Sequence, residues 1–224
     1  MIDNKTDYSR QKDLFDPINQ RFRIIVLGAG SLGSFITLNL AKLGFDNISV
    51  YDYDIVEKQN IPNQFYRVDD IGKYKVDALK EIVKSFSNIE IIAYNEKITA
   101  ESQFDMALNT IFVLTFDTLE MRKLVFNLLK DIKCDVLDVR AGGEEYNIQV
   151  INTFNTVDLD NWKKSFDIIP TELPCGAKSV IYTNLSVASE VCNIIKKMNN
   201  AEEYPKKLIR HMKKYLILNN LNKI

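Results

Sequence analysis

The chain has 224 residues, with 29 lysines and arginines against 30 aspartates and glutamates, and is 46% apolar. That length suits one domain, or one domain with an appendage, and is enough to bury a full core. The even charge gives no electrostatic case for nucleic acid or an anionic membrane. No apolar run approaches the roughly 20 residues that cross a bilayer, and the first residues are polar, so a cytoplasmic location is expected.

Three cysteines, Cys134, Cys175 and Cys192, are an odd number at wide spacing, which fits a reducing compartment better than a disulfide framework. No Cys-x-x-Cys pair is present and His211 is the single histidine, which argues against a four-ligand zinc site and against chemistry built on a histidine base.

In chain order, residues 1–22 are mostly polar and read as an extended arm that wraps its own domain or reaches a neighbouring subunit. On burial tendencies alone, Arg10 in that arm is a solvated charge. The apolar run Ile24 to Leu27 then passes directly into Gly28-Ala29-Gly30-Ser31-Leu32-Gly33 and a helical pattern from Ser34 to Leu43. A second run, Ile48 to Tyr51, ends on Asp52. Strand, glycine turn, helix, strand and acid follow each other as in a nucleotide-binding βαβ unit. Gly28 permits the turn, Gly30 lets backbone approach a nucleotide, and Gly33 lets the helix pack on the strand. Asp52 stands where ribose hydroxyls would be held.

A polar loop broken by Pro62 leads to a helix opened by Gly72 and Lys75, with Val76, Leu79, Ile82, Val83 and Phe86 at helical spacing. A cation in the first turn of a helix is unfavourable beside the positive end of its dipole, so Lys75 either meets a phosphate or stays exposed. Ile89 to Tyr94 and Ile111 to Thr115 read as strands, the latter ending at Phe116-Asp117 before a helix from Leu119 to Leu129. Asp117 either joins Asp52 at the carboxyl ends of the strands or caps that helix, and the two roles can coexist. Val136 to Arg140 and Tyr146 to Ile151 are further strands, the second alternating enough to be antiparallel. Residues 152–174 read as irregular around Trp162, Ala177 to Met198 as a long apolar helix, and Glu202 onward as one more helix through Tyr204, Leu208 and Met212. The expected fold is α/β: a Rossmann-like, mostly parallel sheet flanked by helices, with antiparallel strands toward the C-terminal half. The expected division is an arm (1–22), a nucleotide-binding domain (23–198) and a helical tail (199–224).

On Ser9-Arg10-Gln11, the glycine turn, Asp52 and Asp54 with Val56-Glu57 and Asn60, the Gly72 to Lys75 element and Asp117, the chain resembles the ThiF/MoeB/HesA adenylyltransferases from Arg10 to about Lys197. These are bacterial relatives of ubiquitin-activating enzymes. The resemblance implies that a carboxylate, commonly the C-terminus of a small ubiquitin-like or sulfur-carrier protein, attacks the α-phosphate of ATP to give an acyl-adenylate and pyrophosphate. By the same resemblance Asp52 holds the ribose, Asn60 and Lys75 contact phosphates, Asp117 lies by Mg2+, and Gly28, Gly30, Gly33 and Asp54 complete the nucleotide site. Arg10 would reach in from the other subunit of a homodimer.

Cys175, just before the long helix, is where some similar enzymes carry a cysteine that bonds covalently to the activated carrier. A helix N-terminus favours the thiolate, and the alternative is a structural thiol. Cys134 and Cys192 sit in apolar patterns and are expected to be buried. The chain departs from the family twice: Asn63 stands where the motif Asn-Leu-x-Arg-Gln has arginine, leaving Arg67 or Lys58 to compensate, and the common zinc cysteines are absent. Two other readings stay open, a catalytically weakened nucleotide-binding scaffold of the same fold and an NAD-binding oxidoreductase suggested by the glycine turn and Asp52.

Overall fold

The computed structural model describes residues 6–167, 179–214 and 216–221, the last as backbone. One sheet of eight strands organises them in the order β3-β2-β1-β4-β5-β6-β7-β8. Its parallel part comprises β1 (Arg23–Leu27), β2 (Ile48–Tyr51), β3 (Ile92–Tyr94), β4 (Thr110–Leu114) and β5 (Asp135–Gly142). The antiparallel part adds β6 (Glu145–Asn152), β7 (Pro205–His211) and β8 (Leu216–Leu221).

Strand alternation divides the core into two layers. Ile24 and Val26 of β1 point to a layer shared with α1 (Gly33–Leu43), α2 (Lys75–Ser87) and α5 (Ile181–Asn199). Ile25 and Leu27 point to the opposite layer, covered by α3 (Leu119–Leu129) and α4 (Thr156–Lys164). With both faces covered, each of β1 and β4 can be apolar after its first residue, and Ile24 to Leu27 and Ile111 to Leu114 have no solvent exposure. The α/β fold with its antiparallel C-terminal side is thus the one the sequence predicts.

Three local expectations need correction. The tail expected to be helical forms β7 and β8, which extend the sheet from β6. Tyr204, Leu208 and Met212 are spaced by four, which satisfies a helix but also keeps every even residue on one strand face; Leu208 pairs with Ile148 and is buried. The segment from 152 is not all irregular, because α4 begins at Thr156 behind Asn155, whose Oδ1 accepts from the amides of Val157 (3.0 Å) and Asp158 (3.1 Å). The last helix begins at Ile181 rather than Ala177, which lies outside the described residues.

The described part of the arm is folded onto its own domain rather than extended. Phe15 is buried against Phe45, their ring centroids 4.7 Å apart, and Gln11 Nε2 donates to the Leu43 carbonyl at 2.6 Å. The Arg21 amide donates to Asn199 Oδ1 at 2.9 Å, tying the arm to the end of α5. Cys134 and Cys192 are buried, as expected, and burial pushes the Cys134 thiol up to about 11.

Candidate active site

The turn from β1 into α1 is fixed by two glycines. Gly28 has φ +104°, and a Cβ there would stand 2.7 Å from Thr115 Oγ1. A Cβ on Gly33 would stand 1.9 Å from the Gly28 carbonyl oxygen, so the helix starts in contact with the turn it leaves. Gly30 differs, having nothing within 4 Å of its Cβ position, so its backbone can be approached from outside. No side chain caps the start of α1. Thr115 Oγ1 donates toward the Leu27 and Gly28 carbonyls, 3.0 Å from each, and Tyr66 donates its hydroxyl to the Ala29 carbonyl at 2.6 Å. Neither Thr115 nor Tyr66 carried a sequence signal, because each acts through a carbonyl far away along the chain.

This turn walls a crevice of about 510 Å³ at the carboxyl ends of β1, β2 and β4, where the strand order reverses. Among the residues lining it are Gly28, Gly30, Asp52, Asp54, Asn60, Lys75 and Asp117, which come from separate elements. Asp52 Oδ2 accepts the Ala29 amide at 2.6 Å and its Oδ1 the Asp54 amide at 2.8 Å. Burial raises the Asp52 pKa above the usual carboxylate range, although both amides and the charge of Lys75 pull it down. Lys75, the first residue of α2, is 6% exposed, and its Nζ contacts Asp54 Oδ2 at 2.7 Å. Asn60 is buried, with its Oδ1 accepting the Glu57 amide at 2.9 Å.

Asp117 is exposed on the rim and does not cap α3; Thr118 does, its Oγ1 accepting the Met121 amide at 3.4 Å. The carbonyl just before it, on Phe116, is held by the buried Arg122 guanidinium, which also donates to the Val139 carbonyl at 2.8 Å and pairs with Asp138. Asp138 accepts further from Arg140 Nη2 at 2.6 Å and Trp162 Nε1 at 3.1 Å. Burial alone would raise the Asp138 pKa, but Arg122 and Arg140 outweigh it and hold the carboxyl below its usual value.

The remaining expected site residues lie elsewhere. Gly33 supports the turn from behind and does not line the crevice. Arg10 is exposed beside the C-terminal end of α1, about 16 Å along an eleven-residue helix from the crevice, so it does not serve its own chain's site. Cys175 lies outside the described residues. Neither cation put forward to replace the missing arginine lines the crevice: Arg67 donates to Asp70 at 2.8 Å and to Glu81 at 3.4 Å, and Lys58 is exposed.

The donor set fits a nucleotide with magnesium. Gly30 and the uncapped helix start suit a phosphate, Lys75 supplies a cation, and Asp52 has lone pairs left for hydroxyls. Among the described residues no three His, Cys, Asp or Glu could hold a metal together, so a magnesium ion here would need phosphate oxygens beside Asp117.

The chain is similar to the NEDD8-activating enzyme E1 catalytic subunit of Arabidopsis thaliana, 30% identical over 198 residues that cover 84% of this chain and 41% of the relative. It is also similar to SUMO-activating enzyme subunit 2 of Dictyostelium discoideum, 28% identical over 151 residues, covering 63% of this chain and 22% of the relative. It therefore spans less than half the length of these curated relatives. The fold resembles the crystal structure of E. coli MccB with AMPCPP and selenomethionine MccA, with a TM-score of 0.75 at 14% identity over 97% of this chain and 72% of that one. The family model described as "ThiF family" matches residues 9–218, and the chain belongs to that family.

Proposed function

We propose that the protein is an ATP-dependent adenylyltransferase that activates the carboxylate of a small ubiquitin-like or sulfur-carrier protein. The observation that carries this reading is the convergence of Asp52, Asp54, Asn60, Lys75 and Asp117 on one crevice beside an open Gly30. In the reaction a carboxylate oxygen bonds to the α-phosphorus, the bond from that phosphorus to the bridging oxygen breaks, and pyrophosphate leaves. The chemistry brings two anions together and releases a third, so it depends on placed cations and backbone donors more than on a proton carrier. Lys75 would exchange Asp54 for a phosphate oxygen, and Asp52 would take the ribose hydroxyls. Magnesium held by phosphates and Asp117 would supply the remaining positive charge. Arg10 of a second copy would add a cation at the rim, making the working unit a homodimer.

The test is exchange of labelled pyrophosphate into ATP in the presence of a candidate carrier. The expected result is carrier-dependent exchange, and Mg·ATP binding without exchange for any carboxylate would overturn it. That outcome would select a nucleotide-binding scaffold, a reading favoured by Asn63 in place of arginine and by the commitment of Arg67 to Asp70 and Glu81.

A further inference from the structure

Asp117, exposed on the crevice rim, has no side-chain hydrogen bond or ion pair of its own among the described residues, so its place is set by its backbone. On one side of it the Thr115 amide donates to the Leu27 carbonyl of β1 at 3.1 Å, and on the other Thr118 caps α3. Among the described residues, one hydrogen bond reaches the backbone of Phe116 and Asp117, which lie between. The Arg122 guanidinium donates through Nη2 to the Phe116 carbonyl, the oxygen of the peptide bond that leads into Asp117.

Arg122 occupies a position that disfavours it. It is the fourth residue of α3, near the positive end of the helix dipole, and it is 4% exposed, so its charge loses water without gaining a favourable field. The same guanidinium donates to the Val139 carbonyl at 2.8 Å and through Nη1 to Asp138, both on β5. Asp138 is anchored in turn by Trp162 Nε1 at 3.1 Å. Pairing with Asp138 alone would require no contact with Phe116. The planar fork instead joins buried β5 to the loop leaving β4, a span that the single nitrogen of a lysine cannot reproduce. The charge of Asp117 also favours the charged guanidinium against its burial, which puts the two groups within electrostatic range.

Resting on the adenylation reading, we propose that Arg122 is a positioning residue, whose hold on the Phe116 carbonyl sets the rim backbone so that the Asp117 carboxylate meets magnesium on the nucleotide. Arg122 does not line the crevice and acts only through Asp117. Groups that orient a metal ligand in this way typically change metal affinity by about 10–100-fold.

The experiment measures ATP affinity by calorimetry, with magnesium and in EDTA, for the wild type, Asp117→Ala, Arg122→Lys, the double variant and Trp162→Phe. The quantity compared is the gain in affinity that magnesium confers. The expected result is a gain reduced about tenfold in Arg122→Lys and in Asp117→Ala, with affinity in EDTA unchanged. The double variant should lose no more than Asp117→Ala alone, because the arginine works through that carboxylate. Trp162→Phe loosens Asp138 without touching the Phe116 carbonyl, so it should lower the melting temperature and leave the magnesium gain intact. A full gain in Arg122→Lys, a loss that adds to that of Asp117→Ala, or an equal loss in Trp162→Phe would overturn the proposal and make Arg122 a structural residue. Should Arg122→Lys fail to fold, Arg122→Met with Asp138→Leu removes both buried charges together and is held to the same outcomes. A full gain in Asp117→Ala, or a wild type that does not bind Mg·ATP, would strike instead at the adenylation reading.

Discussion

Two groups of charged residues lie near the carboxyl end of β4, and they behave oppositely. Around Asp138, which is 1% exposed, Arg122, Arg140 and the Trp162 indole occupy the carboxylate, and its pKa is lowered. In the crevice, Asp52 is met by two backbone amides and a lysine engaged elsewhere, and its pKa is raised. The first group is closed: its charges are spent on each other and on holding the strand ends and α4 together. The second is open, with donors and acceptors only partly matched. Buried charge that is fully satisfied builds a fold, whereas charge left short of partners in a crevice is able to take a ligand.

The sharpest way to break this contrast is to remove one carboxylate from each group. Asp138→Ala strands the buried guanidinium of Arg122 and the half-buried one of Arg140, and should cost about 3–5 kcal/mol of folding stability, measured by denaturant unfolding. A loss under about 1 kcal/mol would mean the network is not closed. Asp117→Ala should do the reverse. Pyrophosphate exchange should fall at least about a hundredfold, near 3 kcal/mol of transition-state stabilisation. ATP binding should be partly retained and stability should change by less than about 1 kcal/mol. A mere stability loss with normal exchange would move Asp117 into the structural group.

Thr118→Ala should cost about 1 kcal/mol, because Thr118 and not Asp117 caps α3, and thermal unfolding checks it. The smallest expected effect is in pH dependence. Because the Asp52 pKa is raised on folding, its contribution favours the folded state below the ordinary carboxylate value of about 3.9 and is lost as pH rises through its own higher value. Asp52→Asn should remove that slope. Asp138 has the opposite sign: its stabilisation is present above about 3.9 and is lost as pH falls through its lowered value. A pH series of unfolding free energies for the two Asn variants should therefore diverge on either side of that value.

The open group was largely legible in the sequence and the closed one was not, for a physical reason. Gly28, Gly30, Gly33 and Asp52 are local to one βαβ unit, where spacing along the chain fixes position in space. Asp138, Arg122, Arg140 and Trp162 belong to β5, α3 and α4, and only packing brings them together. The same limit explains the tail. Tyr204, Leu208 and Met212 fit both a helix and a strand, and the free edge of β6 decided between them. The start of α4 did carry a signal, Asn155 before Thr156 and Asp158, but its apolar face is short, with Leu159 and Trp162 reaching the core from the helix and Phe166 from just beyond its end. Asn63 was legible as a departure, while the lack of a partner for its buried oxygen among the described residues became visible only with the fold built around it.

On the proposed function, the crevice beside α1 takes a magnesium nucleotide through Lys75. The most direct measurement is a calorimetric titration of the wild type and Lys75→Gln with Mg·ATP, with NADH as the competing ligand. The expected result is saturable Mg·ATP binding that NADH does not displace and that weakens about tenfold or more in Lys75→Gln at unchanged melting temperature. Equal Mg·ATP affinity in the two proteins, or a crevice that prefers NADH, would contradict it.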